Sequence, residues 1–293
     1  MGGASPEPEL ISVVIPVLNT ADMLPAQLEA LRGQTYGGKW ELIIADNGST
    51  DGTPDLARTW ADRIPGLQVV DASDRKGQDH ARNVGAAAAR GDFIAFCDAD
   101  DVATPGWLEA MVEAAGSCDV VGGAVDPDAL NDPAVRYWRD ARLKTGLGMD
   151  QNFLPWAMSA NLGVHAPIFR KLGGFNEDYA TGEDVEFCWR VQLASHTLRY
   201  APRALIQYRF RGGLRALARQ FHAYGVGAAR LYRDFRNSGM PRPSKLRVLL
   251  AWGWLIVHLF DLPVRRRRGV WIRKAAYRWG RLRGSLRYRV FYI

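Results

Sequence analysis

The sequence lacks most of the features that support a simple reading. Its three cysteines, Cys97, Cys118 and Cys188, are odd in number and widely spaced. None forms a C-x-x-C pair, so neither a disulfide framework nor a zinc site is indicated, and a reduced, cytoplasmic setting is the simplest expectation. No G-x-G-x-x-G follows a strand and no Walker P-loop occurs, which removes the main support for a nicotinamide or ATP site. The first nine residues are Gly/Pro/Glu-rich and carry no basic n-region. Residues 1–9 are therefore expected to be a flexible terminus, and the short apolar run after them a first strand, not a signal peptide. The apolar stretch Val248–Phe260 covers 13 residues, against about 20 for a bilayer span. There is no internal repeat.

Acidic residues are scarce in the last third. From Arg199 to Ile293 there are 23 Lys+Arg and 2 Asp+Glu, leaving 15 basic and 29 acidic residues in the first 198. The net +7 thus combines a body of −14 with a tail of +21. Such asymmetry suggests an anionic surface as partner, either membrane or nucleic acid. No aromatic stacking platform or helix-turn-helix pattern supports nucleic acid. Trp252 and Trp254 in the apolar stretch, followed at once by Arg265–Arg268, suit a helix lying in a membrane interface; the alternative is a core helix with a solvated basic face. The expectation is a peripheral contact of residues 246–293 with the inner face of the cell membrane.

At 293 residues the chain can bury a full core, and its 47% apolar content is ordinary for a globular protein. Leu10–Pro16, Trp40–Asp46, Leu67–Asp71 and Phe93–Asp98 read as strands by their β-branched and apolar runs. Leu24–Arg32, a segment opening at Thr53-Pro54, Gln78–Arg90 and Trp107–Ala115 read as helices between and after them. This alternation predicts an α/β fold with a largely parallel sheet flanked by helices. Further on, Val120–Val125 and Leu205–Phe210 read as strands and Asp184–Ala194 as a helix. From Leu214 the pattern is helical, broken at Gly239–Pro243. The expected division is a regular first half over 10–115, a less regular second half over 116–212, and a basic helical extension over 213–293.

Carboxylates stand at the strand ends. Asp46 closes one strand, and Asp98 and Asp100 close another. In a parallel sheet these ends share one edge, where a nucleotide could lie across them. Asp46 could equally cap the Asn47–Gly52 turn. The Asp98-Ala99-Asp100 pair is harder to explain as capping, because neighbouring carboxylates repel unless a positive group sits between them. Asp101 or Thr104 serves the following helix equally well as a cap. Glu183 and Asp184 open a helix, where the dipole favours acids. They also follow a Gly- and acid-rich loop, Leu172–Tyr179, that could deliver a general base to a cleft.

Taken in order, Ser12–Asn19, Asp46–Thr53, Gly77 with Ala81-Arg82-Asn83 and Gly85, Asp98–Asp101 with Pro105–Leu108, Gly173–Glu177, and Glu183–Glu186 resemble a family 2 glycosyltransferase of the GT-A fold. The ordered set covers about residues 10–210. The resemblance implies a nucleotide-diphosphate sugar donor. Pro16, Val17 and Asn19 would line the nucleotide cleft, and Asp46 would contact the base. Asp98 would lie by the ribose and the metal, with Ala99 beside it, and Asp100 would coordinate Mn²⁺ or Mg²⁺ through the diphosphate. Arg82 and Asn83 would sit near the donor. Asp184 would be the general base, with Glu183 next to it reading the acceptor or the sugar.

Two departures qualify the pattern. Family members often place a His near the metal where this chain has Gln207, and the Gln-x-x-Arg-Trp signature of processive synthases is absent. The first leaves the third metal contact open, and the second points to one sugar per encounter; the resemblance implies an inverting, metal-assisted transfer to the hydroxyl of a sugar, a lipid-linked compound or a small molecule. A polyprenyl-phosphate sugar synthase at the membrane surface is the alternative. A sugar nucleotidyltransferase is a weaker one, since Asn19–Leu24 lacks its Gly-rich, Lys-containing loop. No nucleic-acid partner is expected.

Overall fold

The structure, a computed structural model, describes residues 7–64, 66–139, 146–149 and 153–293. The flexible-terminus expectation for residues 1–6 lies outside the described residues. Strands β1 (Leu10–Val17), β2 (Lys39–Asp46), β3 (Gln68–Asp71) and β4 (Phe93–Cys97) run parallel in the order β3-β2-β1-β4. Helices α1 (Leu24–Arg32), α2 (Thr53–Arg58) and α3 (Gln78–Ala88) connect them. The alternation along β1 explains the layering. Ile11, Val13, Ile15 and Val17 pack with Leu24, Leu28 and Leu31 of α1, and with Trp107 and Met111 of α4 (Trp107–Ala115). Val14 points the other way, into a cluster with Ala86 of α3, Phe96, Phe169 and Phe187. A strand buried on both faces needs a near-continuous apolar run, which is what β1 supplies.

Beyond β4 the sheet changes hand. After the short edge strand β5 (Val102–Ala103) come β6 (Val120–Asp126) and α5 (Pro133–Trp138). A two-stranded ribbon, β7 (Gly148–Met149) with β8 (Pro155–Trp156), then leads into β9 (Asn161–His165), which sits antiparallel between β4 and β6. After α6 (Ala166–Lys171) and α7 (Glu183–Leu193), β10 (Leu198–Gln207) runs parallel to β6 and antiparallel to β5. The sheet is thus largely parallel, with antiparallel insertions at β9 and β5.

Helices α8 (Leu214–Phe235), α9 (Lys245–Val257) and α10 (Arg265–Arg287) complete the chain, with the break between α8 and α9 at the expected Gly239–Pro243. Where α8 crosses α10 the backbones touch: a Cβ on Gly225 would fall 2.1 Å from the Tyr277 carbonyl oxygen. Ala229, Leu231, Tyr232 and Phe235 of α8 pack on Val185 and Trp189 of α7. The basic helices are thereby joined to the element that carries Glu183 and Asp184.

Candidate active site

The C-terminal ends of β1, β2 and β4 lie at one edge of the parallel half, where open α/β sheets receive ligands. A cleft of about 470 Å³ opens there. Pro16 and Val17 of β1, Arg82 of α3, the Asp98-Ala99-Asp100 turn after β4 and Glu183 and Asp184 of α7 all line it.

Carboxylate oxygens of Asp98, Asp100 and Asp101 lie within 4.8 Å of one another. Asp98 Oδ1 accepts from Arg82 Nη2 at 2.7 Å and from Gln78 Nε2 at 3.0 Å. Asp101 is 1% exposed; its Oδ1 accepts from the Arg209 N–H at 2.8 Å. Its Oδ2 is buried with no donor among the described residues. Burial, then Asp98, raises the Asp100 pKa, while burial, Asp98 and Asp100 hold Asp101 well above the usual carboxylate range. Three hard oxygen donors, one of them orphaned, fit a divalent cation, which would relieve the mutual repulsion. The third oxygen comes from Asp101. Gln207 lies in β10 opposite Val102 and Asp126 and is not among the residues lining the cleft.

Arg82 ties the site together. Its side chain is 2% exposed and reaches Asp79 at 3.0 Å, Asp98 at 2.7 Å and Glu183 at 3.7 Å. Burial works against its charge, but Asp98, Asp79 and Glu183 more than offset this and raise its pKa. One buried guanidinium thus links α3, the end of β4 and the start of α7.

Gly182, at φ 84°, turns the chain into α7, a conformation that suits glycine. Glu183 and Asp184 then fall in the first turn. The Val185 N–H donates to Asp184 Oδ1 at 2.8 Å, and Ser159 Oγ lies 3.4 Å from Glu183 Oε1. A helix N-terminus alone would lower these pKa values. Burial and then the Glu183 charge win instead, and Asp184 is pushed up to about 8. Asp79 is likewise pushed up to about 8, by burial and by Glu183.

Three predicted residues do not line this cleft. Asp46 accepts from the N–H groups of Gly48 at 3.3 Å and Ser49 at 3.2 Å, so its carboxylate caps the turn and faces a separate depression. Asn19, at φ 53°, accepts from the Thr50 N–H at 2.8 Å. Asn83 donates to the Phe175 carbonyl and to Glu177, each at 2.9 Å, and clamps the 175–177 loop. Conversely, Asn47, Ser159, Arg209 and Arg211 line the cleft, although the sequence reading gave none of them a part in the site. Their signal is position: Arg209, inside the run read as the strand Leu205–Phe210, and Arg211 just after it stand where a strand meets the same edge, but an Arg in so basic a tail does not stand out.

Comparisons with known proteins identify the family and the fold. The model of glycosyl transferase family 2 matches residues 12–173, and that of glycosyl transferase family group 2 matches residues 93–277. A pre-mycofactocin glycosyltransferase of Mycobacterium tuberculosis is 31% identical over 255 residues, covering 83% of this chain and 52% of the relative. The chain therefore spans about half the length of that protein. Glycosyltransferase AglE of Haloferax volcanii is 28% identical over 278 residues, covering 91% and 88%. Among solved structures, a mannosyltransferase from Pyrobaculum calidifontis in complex with GDP-Man and Mn²⁺ superposes with a TM-score of 0.66 at 19% identity, covering 96% and 89%. S. aureus TarS 1-349 in complex with UDP-GlcNAc gives 0.57 at 15% identity, covering 97% and 93%. The fold is that of the GT-A glycosyltransferases.

Proposed function

The chain belongs to glycosyl transferase family 2, and on that premise we propose that it moves a sugar from a nucleotide-diphosphate sugar to an acceptor hydroxyl, with inversion, one sugar per encounter. The observation that carries this reading is that Asp98, Asp100 and Asp184 line one cleft, with the buried Asp101 carboxylate packed behind the first two, its oxygen within 4.8 Å of theirs. Structures of the same fold hold GDP-Man with Mn²⁺ and UDP-GlcNAc, which supports a nucleotide-sugar donor and a divalent cation, Mn²⁺ or Mg²⁺. Residues 10–212 carry the chemistry in this reading, and residues 213–293 form the helical extension.

Pro16, Val17 and Asn47 offer the nucleotide an apolar and polar edge at the ends of β1 and β2. A cation bound by Asp98, Asp100 and Asp101 would offset the charge gathering on the leaving diphosphate. Arg209 and Arg211 add fixed positive charge on the same wall. Asp184 takes the acceptor proton. The acceptor oxygen bonds to the anomeric carbon as the carbon–oxygen bond to the diphosphate breaks, and the electron pair leaves with the nucleoside diphosphate. A base with a pKa near working pH is the efficient one, and burial has moved Asp184 there. Arg82 and Ser159 fix Glu183 beside it to read sugar or acceptor. A polyprenyl phosphate would arrive ionised and need no base, so the raised Asp184 pKa favours a hydroxyl acceptor.

Transfer of labelled sugar by Asp100→Ala and Asp184→Ala variants tests the reading. Each is expected to fall by about 10²–10⁴-fold. Full activity in either variant with competent substrates contradicts it.

The extension is proposed to rest on an anionic membrane. No helix among the described residues is long and apolar enough to cross one. Yet Leu246, Leu249, Leu250 and Val257 of α9 are 63–69% exposed, and with Gly253 they recur at i, i+3, i+4, i+7 and i+11. An apolar face at helical spacing normally turns inward. Here it turns outward, with Phe260 88% exposed beside it and Arg265–Arg268 next in the chain, the combination that suits an interfacial helix on anionic lipid.

A further inference from the structure

A second chamber, of about 270 Å³, lies on the far side of Asp184, between the sheet and helices α8 and α10. Asp184, Thr181 and Tyr224 line both this chamber and the acid-rich cleft. A compound seated in it can therefore present a hydroxyl to the Asp184 carboxylate while the donor occupies the other side.

The chamber walls are unlike those of the donor cleft. They are aromatic, formed by Trp156, Tyr208, Phe210, Phe221 and Tyr277. Among the described residues the one charged group besides Asp184 is Arg139, whose guanidinium carbon lies 4.8 Å from the Phe210 ring centroid and 6.0 Å from that of Phe221. Arg139 donates to Gln220 Oε1 at 2.6 Å and to the Arg211 carbonyl at 2.7 Å. Both partners are neutral, and among the described residues no carboxylate reaches it. Burial pulls its pKa down, with Arg211 and Arg273 acting in the same direction. Two donors are left over: Arg139 Nε and Trp156 Nε1 are buried without an acceptor among the described residues. Buried donors are normally paired, and an unpaired one calls for a ligand, ion or water. A half-buried cation with no counter-charge among the described residues is costly as well.

Flat apolar walls and a guanidinium with no carboxylate partner among the described residues describe the complement of a particular molecule. We propose that this chamber is the acceptor site and that the acceptor is an aromatic or similarly flat apolar alcohol carrying a carboxylate or phosphate, which Arg139 holds while the hydroxyl meets Asp184. The inference rests on the transfer reading only for the role of Asp184.

Isothermal titration of the full chain without donor tests it, using 4-(hydroxymethyl)benzoate, 4-(hydroxymethyl)phenyl phosphate, benzyl alcohol and methyl α-glucopyranoside as probes. At least one anionic aryl probe is expected to bind roughly tenfold or more tighter than benzyl alcohol, the tighter anion naming the group, and the glucoside is expected to bind more weakly than any aryl probe. Arg139→Gln should bring the anionic probe to the level of benzyl alcohol and leave benzyl alcohol itself within about twofold. Phe221→Ala should weaken both aryl classes. The proposal is overturned if no aryl probe binds, if the glucoside binds as tightly, or if Arg139→Gln weakens charged and neutral probes alike, which would make Arg139 only a tie between residues 211 and 220. Circular dichroism of each variant separates lost binding from lost fold. Binding without transfer would contradict the transfer reading alone. Transfer to the glucoside with no aryl binding would contradict this inference alone.

Discussion

Asp184 receives opposite influences from its helix and from its surroundings. The N-terminal turn of α7 favours its charged form, while burial and Glu183 disfavour it and raise its pKa to about 8. The sign of the consequence follows from linkage. The native state keeps a proton that the unfolded chain releases near pH 4, so stability falls as pH rises from about 4 to about 8. Asn cannot ionise. Asp184→Asn should therefore abolish transfer yet melt above the wild type, by about 2–4 °C for each kcal/mol relieved, with the gap widening between pH 5 and pH 8. Thermal scans across that range check this; a gap independent of pH would contradict it. In the wild type, kcat/KM should fall as pH drops below an acidic limb near 8, far above that of an ordinary aspartate. Asp98, Asp100, Glu183 and Asp184 were legible in the sequence because their spacing at a strand end and a helix start already confines them to an edge. Asp101 was not, since a third acid in the same turn also reads as a helix cap; only its burial with an orphaned oxygen distinguishes it. Asp46, Asn19 and Asn83 show the reverse. Asp46 bonds to its own turn, a local preference, while Asn19 and Asn83 tie down the distant backbone of Thr50 and Phe175, contacts that motif position alone does not reveal.

At the scale of elements, β1 to β4 and the helices between them were legible because each strand is built on a short run of β-branched or apolar residues, α1 and α3 have helical spacing and Thr53-Pro54 opens α2. β9 was not. Asn161–His165 is five residues with Gly163 at its centre, and its place between β4 and β6 is set by pairing across the chain. The first half of β10 was also missed: Arg199, Pro202 and Arg203 interrupt the pattern, and a register shift between Ala201 and Leu205 accommodates them. Helix α9 was legible as apolar, but its orientation was not, because periodicity gives a face without saying what covers it. Its outward apolar face carries a prediction. The chain should float with vesicles of phosphatidylcholine and phosphatidylglycerol, and Leu250→Glu with Phe260→Glu should reduce the bound fraction about tenfold or more. High salt should reduce binding of the wild type, through screening of Arg265–Arg268. Equal flotation of the double variant and the wild type would contradict the membrane reading.

Across the whole molecule the charge split acquires a location. The acidic body holds Asp98, Asp100, Glu183 and Asp184 around one cleft, and the basic helices give Gln220 and Tyr224 to both cavities and Tyr277 to the aromatic chamber. Donor cleft and aromatic chamber thus adjoin at Asp184 and depend on both regions, with the start of α7 as a shared wall. The central claim is that the acid cluster binds its donor through a divalent cation. The direct measurement is the melting temperature of the wild type and of Asp100→Ala with UDP-, GDP- and TDP-sugars, each with and without Mn²⁺. A ligand at a hundred times its Kd adds about 2.7 kcal/mol to the folded state, a rise of roughly 5–10 °C at this size. At least one donor is expected to raise the wild-type midpoint only when Mn²⁺ is present, and Asp100→Ala to lose the rise. A rise of equal size without the cation, or its survival in Asp100→Ala, would contradict it.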